Sequence, residues 1–308
     1  MGLSQLIDAE LGAYIEESRT FNAAAIAAAK AAGSAKGPTN YEELKRARDN
    51  LPARSPHPRA VEHVAEAGGR TVPVRVIRPD GREPRGVYLD IHGGGFFMSS
   101  AARSDGRNVA LADALGVAVV SVDYRLAPEN PWPAAPDDCE TAALWVLDQA
   151  RALFGVDRLL IGGASAGANL ALTTLFRLRR RELLEGFAGV VLQYGAYDLS
   201  GQSPSGRLYA DEWFIEAYAG HVTDRTDPDL SPLYGDLAGL PPALLIAGTL
   251  DLVFEDTLAM AGRLAAAGGD VDLHVFPESH HGFTSFPTGM AAAAKRTTTS
   301  WLGARLAA

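Results

Sequence analysis

Residues 163–167 read Gly163-Ala164-Ser165-Ala166-Gly167, and the fold turns on them. Just before them stands a short apolar run, Leu159-Leu160-Ile161-Gly162, and residues 166–184 carry a helical pattern. A strand that ends in a serine between small residues, and passes at once into a helix, is a nucleophile elbow. The reason is steric. The sharp turn exposes the serine hydroxyl above a sheet, and only small neighbours such as Gly163, Ala166 and Gly167 let strand and helix come close enough. The new helix also directs free N–H groups toward negative charge forming beside Ser165. The five-residue pattern recurs by chance; its strand–turn–helix setting gives it meaning.

Working outward, short apolar runs recur at 86–91, 117–122, 159–162, 190–193, 243–247 and 271–276, after an alternating strand at 72–77 that ends in Pro79-Asp80-Gly81. Most do not alternate, as expected of strands buried on both faces. Helical stretches at 105–115, 137–150, 166–184, 255–267 and 295–305 separate them. This alternation predicts an α/β fold with a mostly parallel sheet and helices on both sides. Ahead of it, Leu3, Leu6, Ile7, Leu11, Tyr14 and Ile15 form one apolar helical stripe. An Ala-rich helix follows over 22–32, and Thr39 with Glu42 has capping-box spacing for a third. About 50 residues rich in Ser, Pro, Gly and aromatics, among them Trp213, Phe214, Tyr218 and Tyr234, separate the runs near 191 and 245. Connections of that length are usually functional. We read this segment with the N-terminal helices as a cap over a site, against the plainer reading of a surface excursion.

A second chemical signal is His92-Gly93-Gly94-Gly95-Phe96, directly after the run at 87–91. Consecutive glycines let backbone N–H groups converge on one point, which suits a developing oxyanion, at about 3 kcal/mol of barrier per donor. The run lies at the C-terminal end of a strand, where α/β sites form. A phosphate cradle is the rival, but the Lys-Ser/Thr pair of a P-loop is absent.

These two elements together resemble the hormone-sensitive-lipase-like branch of the α/β hydrolases. The resemblance runs over about 60–305 and includes Asp123-Tyr124-Arg125-Leu126-Ala127-Pro128-Glu129, Ser231-Pro232-Leu233 and His281-Gly282-Phe283. It implies a single domain over 1–308: a mostly parallel eight-stranded sheet flanked by helices, with a helical cap from about 1–50 and about 199–233. Two positions depart from the branch. Ala164 stands where Asp or Thr is usual, and Leu252-Val253 follows Asp251 where Pro-Leu is common. Both bear on subfamily and substrate, since no catalytic group is lost. In the branch His92 helps hold the glycine loop, and Arg125 and Glu129 read as interior polar anchors beneath it.

Serine is a poor nucleophile unless a base takes its proton and an acid orients that base. In this fold the order along the chain is serine, acid, histidine. Of the histidines after Ser165, His274 lies inside a strand and His221 in the long connection, which leaves His280 and His281 after the last strand. The branch places its base immediately before Gly-Phe, which selects His281. The acid comes from the loop after 243–247, where Gly248-Thr249-Leu250-Asp251 supplies Asp251. Glu255 and Asp256 read as favourable charges in a helix's first turn, and Asp198 as structural. The expected oxyanion donors are the N–H groups of Gly93, Gly94 and Ala166. The expected activity is carboxylesterase hydrolysis of short- to medium-chain acyl esters through an acyl-enzyme. Amidase, carbamate hydrolase or lactonase activity on the same triad, and a non-catalytic ligand-binding relative, are the alternatives.

No cofactor is implied. No metal is expected, because no Cys or close carboxylate completes a ligand set with the adjacent histidines. The lone Cys139 excludes an intramolecular disulfide and reads as a small buried thiol. A net charge of −9 argues against nucleic-acid or anionic-membrane surfaces. The cluster Arg177-Leu178-Arg179-Arg180-Arg181 reads as cations at a helix C-terminus. With no signal-peptide pattern and no long uncharged apolar run, the expectation is a cytoplasmic protein off the membrane, acting on a small-molecule ester. The resemblance also admits a homodimer, for which the sequence shows no interface signature.

Overall fold

The non-alternating apolar runs become the interior of one sheet. The computed structural model describes residues 7–31, 37–52 and 56–307. Its strands are β1 (Ala60–Ala67), β2 (Arg70–Ile77), β3 (Val87–Ile91), β4 (Ala118–Val122), β5 (Leu159–Ala164), β6 (Phe187–Gln193), β7 (Ala243–Gly248) and β8 (Val271–Phe276). They lie in the order β1-β2-β4-β3-β5-β6-β7-β8. β2 runs antiparallel to β1 and β4, and every other pairing is parallel. Strands β3, β4 and β7 are buried at every position. This is the mostly parallel eight-stranded sheet that the sequence led us to expect.

Strand β1 was not among the runs read from the sequence. It is an edge strand paired only with β2, and Val61, Glu62, His63 and Val64 are all exposed. With one face of the hairpin in water, β1 lacks the continuous apolar signature of its neighbours.

The helices are α1 (Ile15–Ala31), α2 (Tyr41–Asp49), α3 (Asp105–Leu115), α4 (Ala134–Phe154), α5 (Ala166–Arg179), α6 (Trp213–Ala219), α7 (Phe254–Ala266) and α8 (Gly289–Ala307). Two N-terminal expectations need correction. The single apolar stripe is divided: Ala9–Tyr14 winds as a tight 3-10 helix capped by the Asp8 carboxylate, and α1 begins only at Ile15 and continues through the Ala-rich stretch. Leu3 and Leu6, and the end of the expected helix at Ala32, lie outside the described residues. The expected capping box is shifted by one residue. Asn40 is the N-cap, accepting from the Glu43 N–H, and the Glu43 carboxylate accepts from the Thr39 N–H and hydroxyl. Asn is as good a cap as Thr, and here its register wins.

Within the arginine cluster at the end of α5, two side chains do more than complement a helix terminus. Arg177 is largely buried and pairs with Asp229, Asp137 and Glu140, while Arg181 pairs with Glu140. These pairs bind α5 to α4 and to the long β6–β7 connection.

Candidate active site

Ser165 sits at the joint between β5 and α5 with φ 56° and ψ −122°, a strained conformation for a side-chain-bearing residue. Its N–H donates to the Gln193 carbonyl at 2.8 Å, which fixes the turn to β6. A Cβ on Gly163 would run into the Gly167 carbonyl, and one on Gly167 into the carbonyls of Ile91 and His92. The elbow therefore closes only with glycine at both positions. As the first residue of α5, Ala166 presents an N–H with no acceptor inside the helix.

The glycine loop lies directly against this elbow. A Cβ on Gly93 would strike the Ala164 carbonyl and would stand 3.4 Å from Cβ of Ser165. Gly94 has φ 125°, and its carbonyl accepts from the N–H of Met98 at 2.8 Å, closing the loop on itself. His92 stacks on Tyr124 with ring centroids 4.1 Å apart, and the Tyr124 hydroxyl donates to the His92 carbonyl at 2.9 Å. Burial pushes the His92 imidazole below its ordinary pKa.

His281 joins two other groups. Its Nδ1 lies 2.9 and 3.0 Å from the carboxylate oxygens of Asp251, and its Nε2 lies 2.8 Å from Oγ of Ser165. An ionised carboxylate only accepts, so Nδ1 carries the proton and Nε2 accepts from the serine hydroxyl. The Asp251 side chain is fully buried and also accepts from the Val253 N–H at 3.0 Å. The neighbouring His280 turns elsewhere, with Nδ1 3.1 Å from the Leu250 carbonyl. A family model described as the alpha/beta hydrolase fold matches residues 88–285. An ethyl acetate hydrolase of Pseudomonas putida is 36% identical over 230 residues, covering 70% of this chain and 72% of that protein. The hyperthermophilic esterase of the archaeon Pyrobaculum calidifontis superposes with a TM-score of 0.74 at 30% identity, over 85% of this chain and 92% of that one. A hormone-sensitive lipase from a metagenome library superposes with a TM-score of 0.72 at 29% identity, over 86% and 90%. The chain belongs to the hormone-sensitive-lipase-like branch of the α/β hydrolases.

In this α/β hydrolase several groups around the site escaped the sequence reading. Tyr194 stands edge-on to His281, centroids 5.2 Å apart, and its hydroxyl pairs with Thr284 at 2.6 Å. Asp256 is not merely a first-turn charge. It is buried within α7 and accepts from the Tyr197 N–H, from the Tyr209 hydroxyl at 2.7 Å and from the Ser205 hydroxyl at 3.0 Å. Burial pushes its carboxyl above the ordinary value. Glu255 beside it is exposed. Asp198 accepts from Ser200 and Ser203; burial opposes its charge, but those hydrogen bonds outweigh burial and hold it below the usual range. Asp256 fastens the start of the long connection to α7, and Asp198 folds that start upon itself.

Arg125 and Glu129 are not interior anchors. Both side chains are substantially exposed: Arg125 pairs with the buried Asp138 of α4, and Glu129 with Arg48 of α2. Arg48 also donates to the Phe97 carbonyl at 2.7 and 2.9 Å and to the Ala127 carbonyl at 2.7 Å. The long connection returns over the glycine loop through α6. Phe214 lies beside Gly95, with its ring 6.3 Å from those of Phe97 and Tyr209, and Trp213 lies 6.0 Å from Phe97. Among the described residues, no helix is long and apolar enough to cross a membrane.

Proposed function

We propose that the protein is a serine carboxylesterase acting on short- to medium-chain acyl esters, with Ser165 as nucleophile, His281 as base and Asp251 as its orienting acid. The observation that carries this reading is the unbroken hydrogen-bond chain from Asp251 through His281 to a serine held on a strained elbow. The name of the Pseudomonas putida relative, an ethyl acetate hydrolase, supports the short end of the acyl range.

The Ser165 hydroxyl adds to the ester carbonyl carbon while its proton passes to Nε2 of His281. The carbonyl oxygen becomes an oxyanion and accepts from the N–H groups of Gly93, Gly94 and Ala166. Each such donor is worth about 3 kcal/mol when aimed at the charge that develops. Asp251 stabilises the imidazolium. The intermediate collapses, the alcohol leaves with the proton from His281, and the acyl group stays on Ser165. Water then attacks, giving its proton to His281; the acid departs, and Ser165 regains its proton. The aromatic side chains of 199–233, with the helices of 1–50, form the cap that keeps bulk water from the reacting ester.

The test is a chain-length series of nitrophenyl esters on pure protein, with Ser165→Ala as the inactive control and His280→Ala as the neighbouring control. Turnover that survives Ser165→Ala, or is lost in His280→Ala but not in His281→Ala, would overturn the assignment. Matched amides run beside the esters decide which bond is preferred.

A further inference from the structure

Two segments carry the chemistry in that reading: the loop 92–98 with the oxyanion donors, and the loop 277–287 with His281. Both are gripped by the N-terminal segment. Arg48 points its guanidinium into the first loop and makes five hydrogen bonds there and on the adjoining turn, two to the Phe97 carbonyl, one to the Ala127 carbonyl, and two to Glu129 at 2.6 and 3.2 Å. Phe97 belongs to the tight turn whose Gly94 carbonyl accepts from the Phe97 and Met98 N–H groups. Moving the Phe97 carbonyl therefore moves the Gly93–Gly94 peptides. Glu129 keeps the arginine charge partnered, and Tyr41 of the same helix donates to Glu129 at 3.0 Å.

Helix α1 does the same for the other loop. The buried Asn22 donates its side-chain N–H to the Glu278 carbonyl at 2.9 Å, and Arg19 pairs with the Glu278 carboxylate at 3.0 Å. Glu278 stands shortly before His281 and has φ 50°, a left-handed conformation that a side-chain-bearing residue adopts only when its surroundings hold it. On the far flank of His281, Phe21 packs on Phe286 with centroids 4.9 Å apart, and the Glu17 carboxylate accepts from the Gly289 N–H at 2.7 Å.

We propose that the N-terminal segment is a two-point clamp, with Arg48 setting the position of the oxyanion loop and Asn22 with Arg19 setting that of the histidine loop. Arg48 and Asn22 are then positioning residues: they touch no substrate and act through the peptides they hold. The inference rests on the triad reading above.

The test uses the full chain with Arg48→Met, Arg48→Lys and Asn22→Ala, assayed on nitrophenyl acetate and nitrophenyl hexanoate, and inhibited by an alkylboronic acid that binds serine as a tetrahedral adduct. Arg48→Met should lower kcat by ~10-fold or more on both esters, with KM changed far less, and weaken the boronate by a similar factor, because the oxyanion donors act in the transition state. Arg48→Lys keeps the charge but not the fork, and should fall between wild type and Arg48→Met. Asn22→Ala should lower kcat on both esters alike. A purely structural role would lower the melting temperature and leave kcat and boronate affinity unchanged well below it. That result overturns the clamp, as does a shift in the hexanoate-to-acetate ratio without a common loss of kcat. If Arg48→Met does not fold, Arg48→Lys decides. Wild-type protein inert toward both esters would sink the ester reading instead; the clamp would then be judged by the rate at which a fluorophosphonate labels Ser165 in each variant, and wild-type protein that is not labelled either would sink the triad reading.

Discussion

His281 and Asp251 differ sharply in exposure although their side chains are in contact: the histidine is 43% exposed and the aspartate 0%. The carboxylate is sealed beneath the imidazole, which alone of the two reaches solvent. Asp251→Asn would keep the shape but supply the wrong hydrogen-bond partner to Nδ1, which favours the wrong imidazole tautomer. We expect kcat to fall on the order of 10^4-fold, as for an acid-to-amide change in such a triad. Combining it with Ser165→Ala should cost little beyond Ser165→Ala alone, since triad members act as a unit. Steady-state kinetics check both; additive losses would contradict the assignment.

His92 gives the protein a pH-dependent stability. In the fold, burial lowers its pKa, while in the unfolded chain it titrates near ~6.5. Below that pH the unfolded chain takes up a proton that the folded one refuses, so this contribution is lost as pH falls and regained as pH rises. Urea midpoints measured from pH 7.5 to 5.5 should fall more steeply for wild type than for His92→Asn. Parallel slopes would remove His92 from the account.

The Asp256 carboxylate accepts from four buried donors at once, the N–H groups of Tyr197 and Asp198 and the hydroxyls of Ser205 and Tyr209. Asp256→Ala takes that acceptor from them, and each costs about 1–3 kcal/mol when unsatisfied. The variant should therefore lose about 3 kcal/mol or more of stability, visible as a lower urea midpoint in chemical denaturation. A loss below about 1 kcal/mol would mean that water replaces the carboxylate at little cost.

Phe214 stands over Gly95 between Phe97 and Tyr209. Truncating it to alanine opens space next to the glycine loop. The ratio of kcat/KM for hexanoate over acetate should change by roughly 10-fold, the scale of about 1–3 kcal/mol per pocket contact. An unchanged ratio in a folded variant would take the aromatic cluster out of substrate selection.

The elbow, the glycine loop and the interior strands were legible because their signals are local: small residues at a fixed spacing, or a run of apolar ones. The choice of His281 over His280 came from a resemblance and not from the two residues themselves, since both follow the last strand. What could not be read depends on long side chains meeting across sequence distance. Arg177 looks like a helix-end cation until Asp229 and Asp137 are brought to it by folding. Arg48 is one of several basic residues on a polar helix, and nothing nearby in sequence says that the carbonyls of Phe97 and Ala127 await it. Asp256 follows the same logic: its partners Tyr197, Ser205 and Tyr209 arrive from the long connection.

The sheet order separates Ser165 from His281 in a further sense. Ser165 leaves β5, which is flanked by β3 and β6, whereas His281 follows β8, the edge strand opposite β1, bonded on one side only to β7. Rims of sheets open at lower free energy than their middles. Brief fraying at that rim would carry the imidazole away while the serine stays seated on an intact interior. Opening at that rim alone would part the imidazole from the serine hydroxyl and let the pair re-form without unfolding of the interior strands.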